Sequence, residues 1–451
     1  MPADGSGLNG IYSVSFRSLP GGALCSCSTS LRGAELTLTA LLTVFFFAPL
    51  YFLFDAAGHL QPAVFGGLCA GVGAYCLMSM NLVLAARPRV LERWLGGLDK
   101  LYWVHKWTGA GALVLIFLHE QIDLEVKGQG ATSGLSELAA EAGELVFYPL
   151  LVLGLLSLFK RIPRLSFEIP YAWWRLSHRF MGAIFAVGVF HQFFVKLPFD
   201  NSTMISAYLT WMGIAALAAF AWTQAAPFLQ RRAYKVTSVD RKPSATVIRL
   251  APQGRPLKQA AGQFALISFA RKGLTEAHPF TVSSQAGSDE IEFSIKPLGD
   301  FTRRLRDTAR PGDTAYLQGG FGRFSGAKSG KRQVWLAGGI GITPFLALAG
   351  SLKADDNTDI DLVYCVRNRS EAIGLDRLEA AATRVPGFRL HLHVSSEEGR
   401  MDAEKLAAKA DPAGAGLWFC GPVQLRKSIL KGLSAIGKSP NSVHFERFEF
   451  R

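Results

Sequence analysis

LYWVHKWTGAGALVLIFLH, residues 101–119, and its later counterpart WWRLSHRFMGAIFAVGVFHQFFV, residues 173–195, decide how the rest of this chain is read. Each is an apolar run about long enough to cross a bilayer, and each carries a histidine near either end. His105 and His119 are 14 positions apart, and His178 and His191 are 13 apart. At about 1.5 Å per residue each pair spans roughly 20 Å of helix. Side by side, the two helices set four imidazoles at two levels, one near each membrane face. A histidine within a bilayer is costly unless it has a partner or a task, and imidazole is an axial ligand of haem iron. The pattern therefore predicts two stacked b-type haems, with His105 and His178 as metal ligands at one level and His119 and His191 at the other. At about 100° per residue, 14 positions return close to the same helix face, but 13 do not. The second helix is expected to bend, to carry an irregular turn, or to present a ring by a different approach. Gly182 and Gly188 permit a bend.

Working outward, the 451 residues divide in two. Residues 36–225 are rich in Leu, Phe, Ala and Trp, and they give six membrane segments at about 36–54, 63–86, 101–120, 145–159, 174–195 and 204–224. Arg87, Arg89, Arg93 and Lys100 follow the second segment. Lys160, Arg161, Arg164 and Arg175 follow the fourth, and Arg231, Arg232 and Lys235 follow the sixth. The stretch 120–144 instead holds Glu120, Asp123, Glu125, Glu137, Glu141 and Glu144 against Lys127, and it is read as an outer loop. This alternation fits six crossings with both termini in the cytoplasm. His105 and His178 then lie at the cytoplasmic level. The net charge of +13 sits largely in loops beside apolar segments, so it is a membrane-topology signal and no sign of nucleic-acid binding. Cys25, Cys27, Cys69, Cys76, Cys365 and Cys420 show no spacing for zinc or an iron–sulfur cluster. Residues 1–34 read as a disordered cytoplasmic tail without a signal peptide's order. No internal repeat is evident.

From Tyr234 the pattern changes. YKVTSVDR, SATVIRLAP, QFALISFA, PFTVSS and IEFSIKP are short β-branched and aromatic runs broken by Gly, Pro and charge, which predicts a small antiparallel barrel. Beyond Lys331, strands QVWLAGG, IDLVYCV, FRLHLHV and GLWFCG alternate with helical stretches, which predicts a parallel sheet with crossover helices.

Three motifs in this half carry chemistry. His278, Pro279, Phe280, Thr281 and Ser284 lie on a hydroxyl-rich strand with an aromatic, suited to stacking a flavin ring and bonding its edge. Gly299, Phe301 and Thr302 open a helix whose N-terminus, beside Arg303 and Arg304, suits a pyrophosphate. Gly338, Gly339, Gly341, Thr343 and Pro344 follow a strand and precede a helix. Their glycines let the backbone approach a second pyrophosphate, Thr343 is expected to cap the helix, and Pro344 suits its first turn. Arg367 and Arg369 end the next strand with no acidic residue, which favours a 2′-phosphate and so NADPH over NADH. Cys420, Gly421 and Pro422 end a later strand at the same edge, placing Cys420 near a nicotinamide. Phe448 and Phe450 close the chain, and a terminal aromatic can cover a flavin face.

The set resembles the ferric reductase and NADPH oxidase family. The resemblance rests on the histidine pairs, HPFT at 278–281, GGIGITP at 338–344, CGP at 420–422 and the aromatic C-terminus, and it spans roughly residues 35–451. Two features depart from the family: Arg451 follows Phe450, and no calcium-binding loop precedes the first helix. The resemblance implies FAD, NADPH and two b haems. The expected architecture is a multidomain chain: an all-α six-helix transmembrane haem bundle over 35–228, an antiparallel β-barrel FAD domain over 232–328, and an α/β parallel-sheet nucleotide-binding domain over 329–451. The expected activity is electron transfer from cytoplasmic NADPH, through flavin and haems, to dioxygen or ferric iron outside, with Cys420 and Phe450 as catalytic residues. A haem subunit reducing a periplasmic protein partner is the alternative, and a haem-binding scaffold with a vestigial reductase is a third reading.

Overall fold

The computed structural model describes residues 27–122, 134–158, 171–198, 203–324 and 331–445. The first helix runs unbroken in direction through α1 (Cys27–Leu42), a π turn (Thr43–Phe47) and α2 (Ala48–Ala57). Then come α3 (Pro62–Ala85), the short α4 (Arg89–Leu95), α5 (Leu98–Glu120), α6 (Gly134–Leu158), α7 (Tyr171–Phe194) and α8 (Met204–Leu229). Five segments are long and apolar enough to cross a membrane: Glu35–Ala57, Pro62–Ala85, Lys100–Glu120, Gly134–Leu158 and Met204–Leu229. Helix α7 has the length, but Arg175, His178, Arg179, His191 and Gln192 make it too polar to join them. Helix α3 is the most enclosed of the five, 61% buried over its apolar window against 17–22% for the rest. It packs on α5 and α8, while α7 packs chiefly on α6.

Two expectations for this region are corrected. Helix α6 begins at Gly134, so Glu137, Glu141 and Glu144 lie on a helix and not in a loop. They sit at i, i+4 and i+7, on one exposed face, which is why a polar run still folds helically. The basic loop after α3 likewise contains a helix, α4, stopped by Gly96 in the left-handed region at φ 88°.

Strands β1 (Arg232–Arg241), β2 (Thr246–Pro252), β3 (Phe264–Phe269), β4 (His278–Thr281), β5 (Ile291–Ile295) and β6 (Thr314–Phe321) form an antiparallel sheet in the order β4-β3-β6-β1-β2-β5. A bridge from Val282 to Phe293 brings its two edges together, so the sheet is nearly a closed barrel. Helix α9 (Asp300–Thr308) lays Phe301 and Leu305 on the barrel core.

The last unit is a five-stranded parallel sheet of β7 (Arg332–Gly338), β8 (Asp359–Val366), β9 (Phe388–Val394), β10 (Gly416–Cys420) and β11 (Ser442–Phe445), in the order β11-β10-β7-β8-β9. Its helices are α10 (Thr343–Ser351), α11 (Leu375–Arg384), α12 (Ser395–Glu398), α13 (Ala403–Lys409) and α14 (Val423–Ala435). Strands β7 and β10 run parallel, but the order of strand addition reverses between them, so their carboxyl ends form the crevice where open α/β sheets bind ligands.

The barrel sits against the membrane helices. Phe264 and Phe321 share a buried cluster with Leu95, Leu98 and Leu101. The Gly322 N–H donates to the buried Glu92 carboxylate at 3.2 Å, and Arg323 donates to the Arg93 carbonyl at 2.6 Å.

Candidate functional site

The four helical histidines are held alike. The Nδ1 of His119 lies 2.9 Å from the Gly67 carbonyl, and that of His191 lies 2.8 Å from the Ala139 carbonyl. The Nδ1 of His105 lies 3.2 Å from the Asn81 carbonyl, and that of His178 lies 2.9 Å from the Ser157 hydroxyl. A proton fixed on Nδ1 leaves Nε2 as the free lone pair, the arrangement of metal-binding histidines. The rings of His105 and His178 are 6.0 Å apart at 76°. Two imidazoles bound to one metal from opposite sides, at about 2 Å each, have centroids separated by about 6 Å. The spacing of the two rings is thus compatible with a shared metal centre such as haem iron at this level.

At the other level the fit shows in the glycines. A Cβ on Gly71 would lie 2.8 Å from the His119 ring, and one on Gly143 would lie 2.5 Å from Nδ1 of His191. Gly67 and Gly71 stand one turn apart on α3, as Ala139 and Gly143 do on α6. In both cases 52 residues separate the histidine from its carbonyl. The sequence reading also passed over a local likeness around the first histidine of each helix, HKWTGA at 105–110 and HRFMGA at 178–183. Helix α7 is α-helical throughout Tyr171–Phe194. The 13-residue spacing is therefore not met by an irregular turn; His178 is stacked on Trp174 at 5.4 Å and bonded to a hydroxyl. Gly182 serves packing, since a Cβ there would lie 2.2 Å from the Phe220 ring.

The HPFT motif forms β4, the barrel's edge strand. His278 lies 3.9 Å from the Phe301 ring, and Phe280 is 6.2 Å from Phe301, nearly parallel. Burial pushes His278 below the ordinary histidine range, and Arg175 acts in the same sense, although Glu276 opposes both. Its imidazole is therefore neutral at pH 7 and presents an aromatic face. Thr302 accepts from the N–H groups of Leu298 and Gly299 at 2.9 Å each, so part of the α9 N-terminus is already capped. Nothing lies within 4 Å of a Cβ built on Gly299, which leaves that turn open to a ligand. Ser284 is buried, and its Oγ accepts from the Glu292 N–H at 3.1 Å.

At the sheet crevice two glycines serve a purpose other than the one expected. A Cβ on Gly341 would lie 2.2 Å from the Cys420 carbonyl oxygen, and one on Gly338 would lie 2.9 Å from Pro422. They admit the Cys420–Pro422 turn. Gly339, at φ 56° and with nothing within 4 Å of a Cβ, is the one facing open space. Thr343 does not cap its helix; its hydroxyl donates back to the Ile340 carbonyl at 3.2 Å. Pro344 occupies the first turn as expected. Cys420 is buried. Phe448 and Phe450 lie outside the described residues.

The two arginines that follow β8 part company. Arg367 lines an open pocket of about 580 Å³ with Ser395, Ser396 and Arg400, whereas Arg369 pairs with Glu379 at 3.8 Å. The sequence reading missed Arg400 and the serines. The signal was available, because Ser395 follows β9 at the same sheet edge.

The chain matches three known domain families in sequence. The family model for the ferric reductase like transmembrane component matches residues 70–189, that for an FAD-binding domain matches 232–321, and that for an oxidoreductase NAD-binding domain matches 335–431. The 2-halobenzoate 1,2-dioxygenase electron transfer component of Burkholderia cepacia is 26% identical over 48% of this chain and 66% of its own length. The carnitine monooxygenase reductase subunit of Escherichia coli is 30% identical over 33% of this chain and 44% of its own. The chain thus spans only part of the length of these relatives. A ferredoxin NADP+ reductase from Neisseria gonorrhoeae, solved with FAD and NADP, aligns at 21% identity with a TM-score of 0.42, over 48% of this chain and 98% of that one.

Proposed function

From a chain that is a membrane NAD(P)H oxidoreductase of the ferric reductase and NADPH oxidase architecture, we propose a path that carries electrons from cytoplasmic NADPH, through FAD and two bis-histidine b haems, to dioxygen or ferric iron at the opposite face. The observation that carries this reading is the set of four histidines whose Nδ1 atoms are all engaged, with two rings 6.0 Å apart. His105 and His178 would hold one haem, and His119 and His191 would hold the other. Helix α7 is counted as the sixth crossing because its histidines face those of α5. Bound flavin would supply the change from a two-electron hydride to single electrons, and haem would supply one-electron transfer.

The protein's own residues bind and orient. His278, Phe280, Thr281 and Phe301 shape the flavin edge, and Gly299 with Thr302 opens the turn for its pyrophosphate. Gly339 and Pro344 lead the nucleotide into the crevice beside Cys420, and Arg367 with Arg400 bonds a 2′-phosphate, favouring NADPH. With a histidine pair holding each haem, the acceptor would be reduced without binding the iron. Arg87, Arg89, Arg93 and Lys100 support a cytoplasmic position for the reductase half. The exposed Glu137, Glu141 and Glu144 face favours, as a second reading, a basic periplasmic protein as acceptor.

An anaerobic difference spectrum of the full chain in detergent with FAD tests the path. NADPH is expected to bring up sharp b-type bands, and His119→Ala or His191→Ala is expected to stop reduction at the outer face while cytoplasmic flavin reduction continues. Bands that appear only with dithionite, or unimpaired outer-face reduction in both variants, overturn it.

A further inference from the structure

Three of the four histidines bond to main-chain carbonyls, which no substitution removes. His178 alone bonds to a side chain. The Ser157 hydroxyl donates to the Leu153 carbonyl at 2.7 Å, the back-bond of a helical serine to the residue four positions earlier. A serine hydroxyl has one proton and two lone pairs. With that proton spent on Leu153, Ser157 can only accept from His178, whose Nδ1 lies 2.9 Å away. The tautomer of His178 follows: Nδ1 carries the hydrogen and Nε2 presents its lone pair.

We propose that Ser157 is a positioning residue that fixes the tautomer and the electron donation of His178, and so tunes the haem site of His105 and His178 independently of the other. The proposal rests on the bis-histidine reading above. A hydrogen bond accepted from the distal N–H makes an imidazole ligand more basic and steadies its orientation. A more basic ligand favours the oxidised metal, so removing the acceptor raises the midpoint potential of that site. The Trp174 ring, stacked on His178 at 5.4 Å and 15°, keeps the imidazole plane in place when the hydroxyl is lost. The change is therefore expected in donation more than in position.

The test compares the wild-type chain with Ser157→Ala and Ser157→Thr, each loaded with haem and flavin in detergent. Potentiometric titration of the haem band and the low-spin ferric electron paramagnetic resonance signal are recorded together. In Ser157→Ala one of the two components is expected to move to higher potential with a changed signal, while the other stays. Threonine can make the same back-bond, so Ser157→Thr is expected to retain both wild-type components. Selective loss of one haem in the alanine variant, with both retained in the threonine variant, also supports the proposal. Superimposable titrations and signals in wild type and Ser157→Ala, with both haems present, overturn it. A wild-type chain that binds no haem overturns the bis-histidine reading itself, an outcome distinct from the last.

Discussion

Arg175 and Glu276 lie 3.2 Å apart, and this ion pair joins the helix that carries His178 to the loop that leads into the strand of His278. Glu276 reaches further, to within 3.6 Å of His278 Nε2. One carboxylate thus lies against both the helix of His178 and the strand of His278. Both partners are partly exposed, at 39% and 28%, so the pair contributes only about 0–1 kcal/mol to stability. Its effect falls on how the barrel is docked.

Charge reversal isolates that effect. Arg175→Glu sets two carboxylates against each other and is expected to slow NADPH-driven haem reduction about tenfold relative to reduction of a soluble dye by the flavin. Combining it with Glu276→Arg restores the opposite charges and is expected to recover most of the loss. Stopped-flow absorbance at the haem band, referred to the dye rate, checks this. No recovery in the double variant would remove the docking role, since simple damage at either site adds rather than cancels.

Arg367, just past β8, and Arg400, beyond α12, come to one pocket, while Arg369 turns to Glu379. Loss of a hydrogen bond to a charged group costs about 1.5–3 kcal/mol. Arg367→Ala and Arg400→Ala are therefore each expected to raise KM for NADPH by about 10- to 100-fold, with little change for NADH, and Arg369→Ala is expected to change neither. Steady-state kinetics with both nucleotides decide the matter. Equal losses for NADH would mean that the pocket does not read the 2′-phosphate.

These residues also mark what can be read from sequence. Five of the six expected membrane segments and the spacing of the four histidines were legible because an apolar run and a repeated spacing are local patterns. The start of α6 was hidden, because Glu137, Glu141 and Glu144 resemble a loop until their shared helical face is seen. The carbonyls of Gly67 and Ala139 have no side-chain signature at all, and they reach histidines 52 positions away. Gly338 and Gly341 were recognised as functional glycines, but only the packed turn of Cys420–Pro422 gives their physical reason. Arg400 escaped because its pocket is assembled by neighbouring strands of a parallel sheet, far apart in the chain.

The opposite edge of that sheet carries the final prediction. Asp361 is buried near the start of β8 and accepts from Arg389 Nε at 2.7 Å, with His391 Nε2 also 2.7 Å away and Arg332 in contact. Burial alone would raise its carboxyl, but the hydrogen bonds from Arg389, His391 and Arg332 outweigh burial and hold it well below the usual carboxylate range. A carboxylate depressed in the folded state binds its proton less readily there than in the unfolded chain, whose value is about 3.9. The stability it contributes is therefore complete above that value and is lost as pH falls below it toward the folded value. Thermal unfolding of the nucleotide-binding domain, followed from pH 7 to pH 3 in detergent, should show a midpoint that drops below about pH 4. Asp361→Asn should lower the midpoint at pH 7, because it leaves Arg332 and Arg389 facing a neutral group, and it should flatten the acid slope. An acid slope as steep in Asp361→Asn as in the wild type would assign the acid sensitivity to other carboxylates.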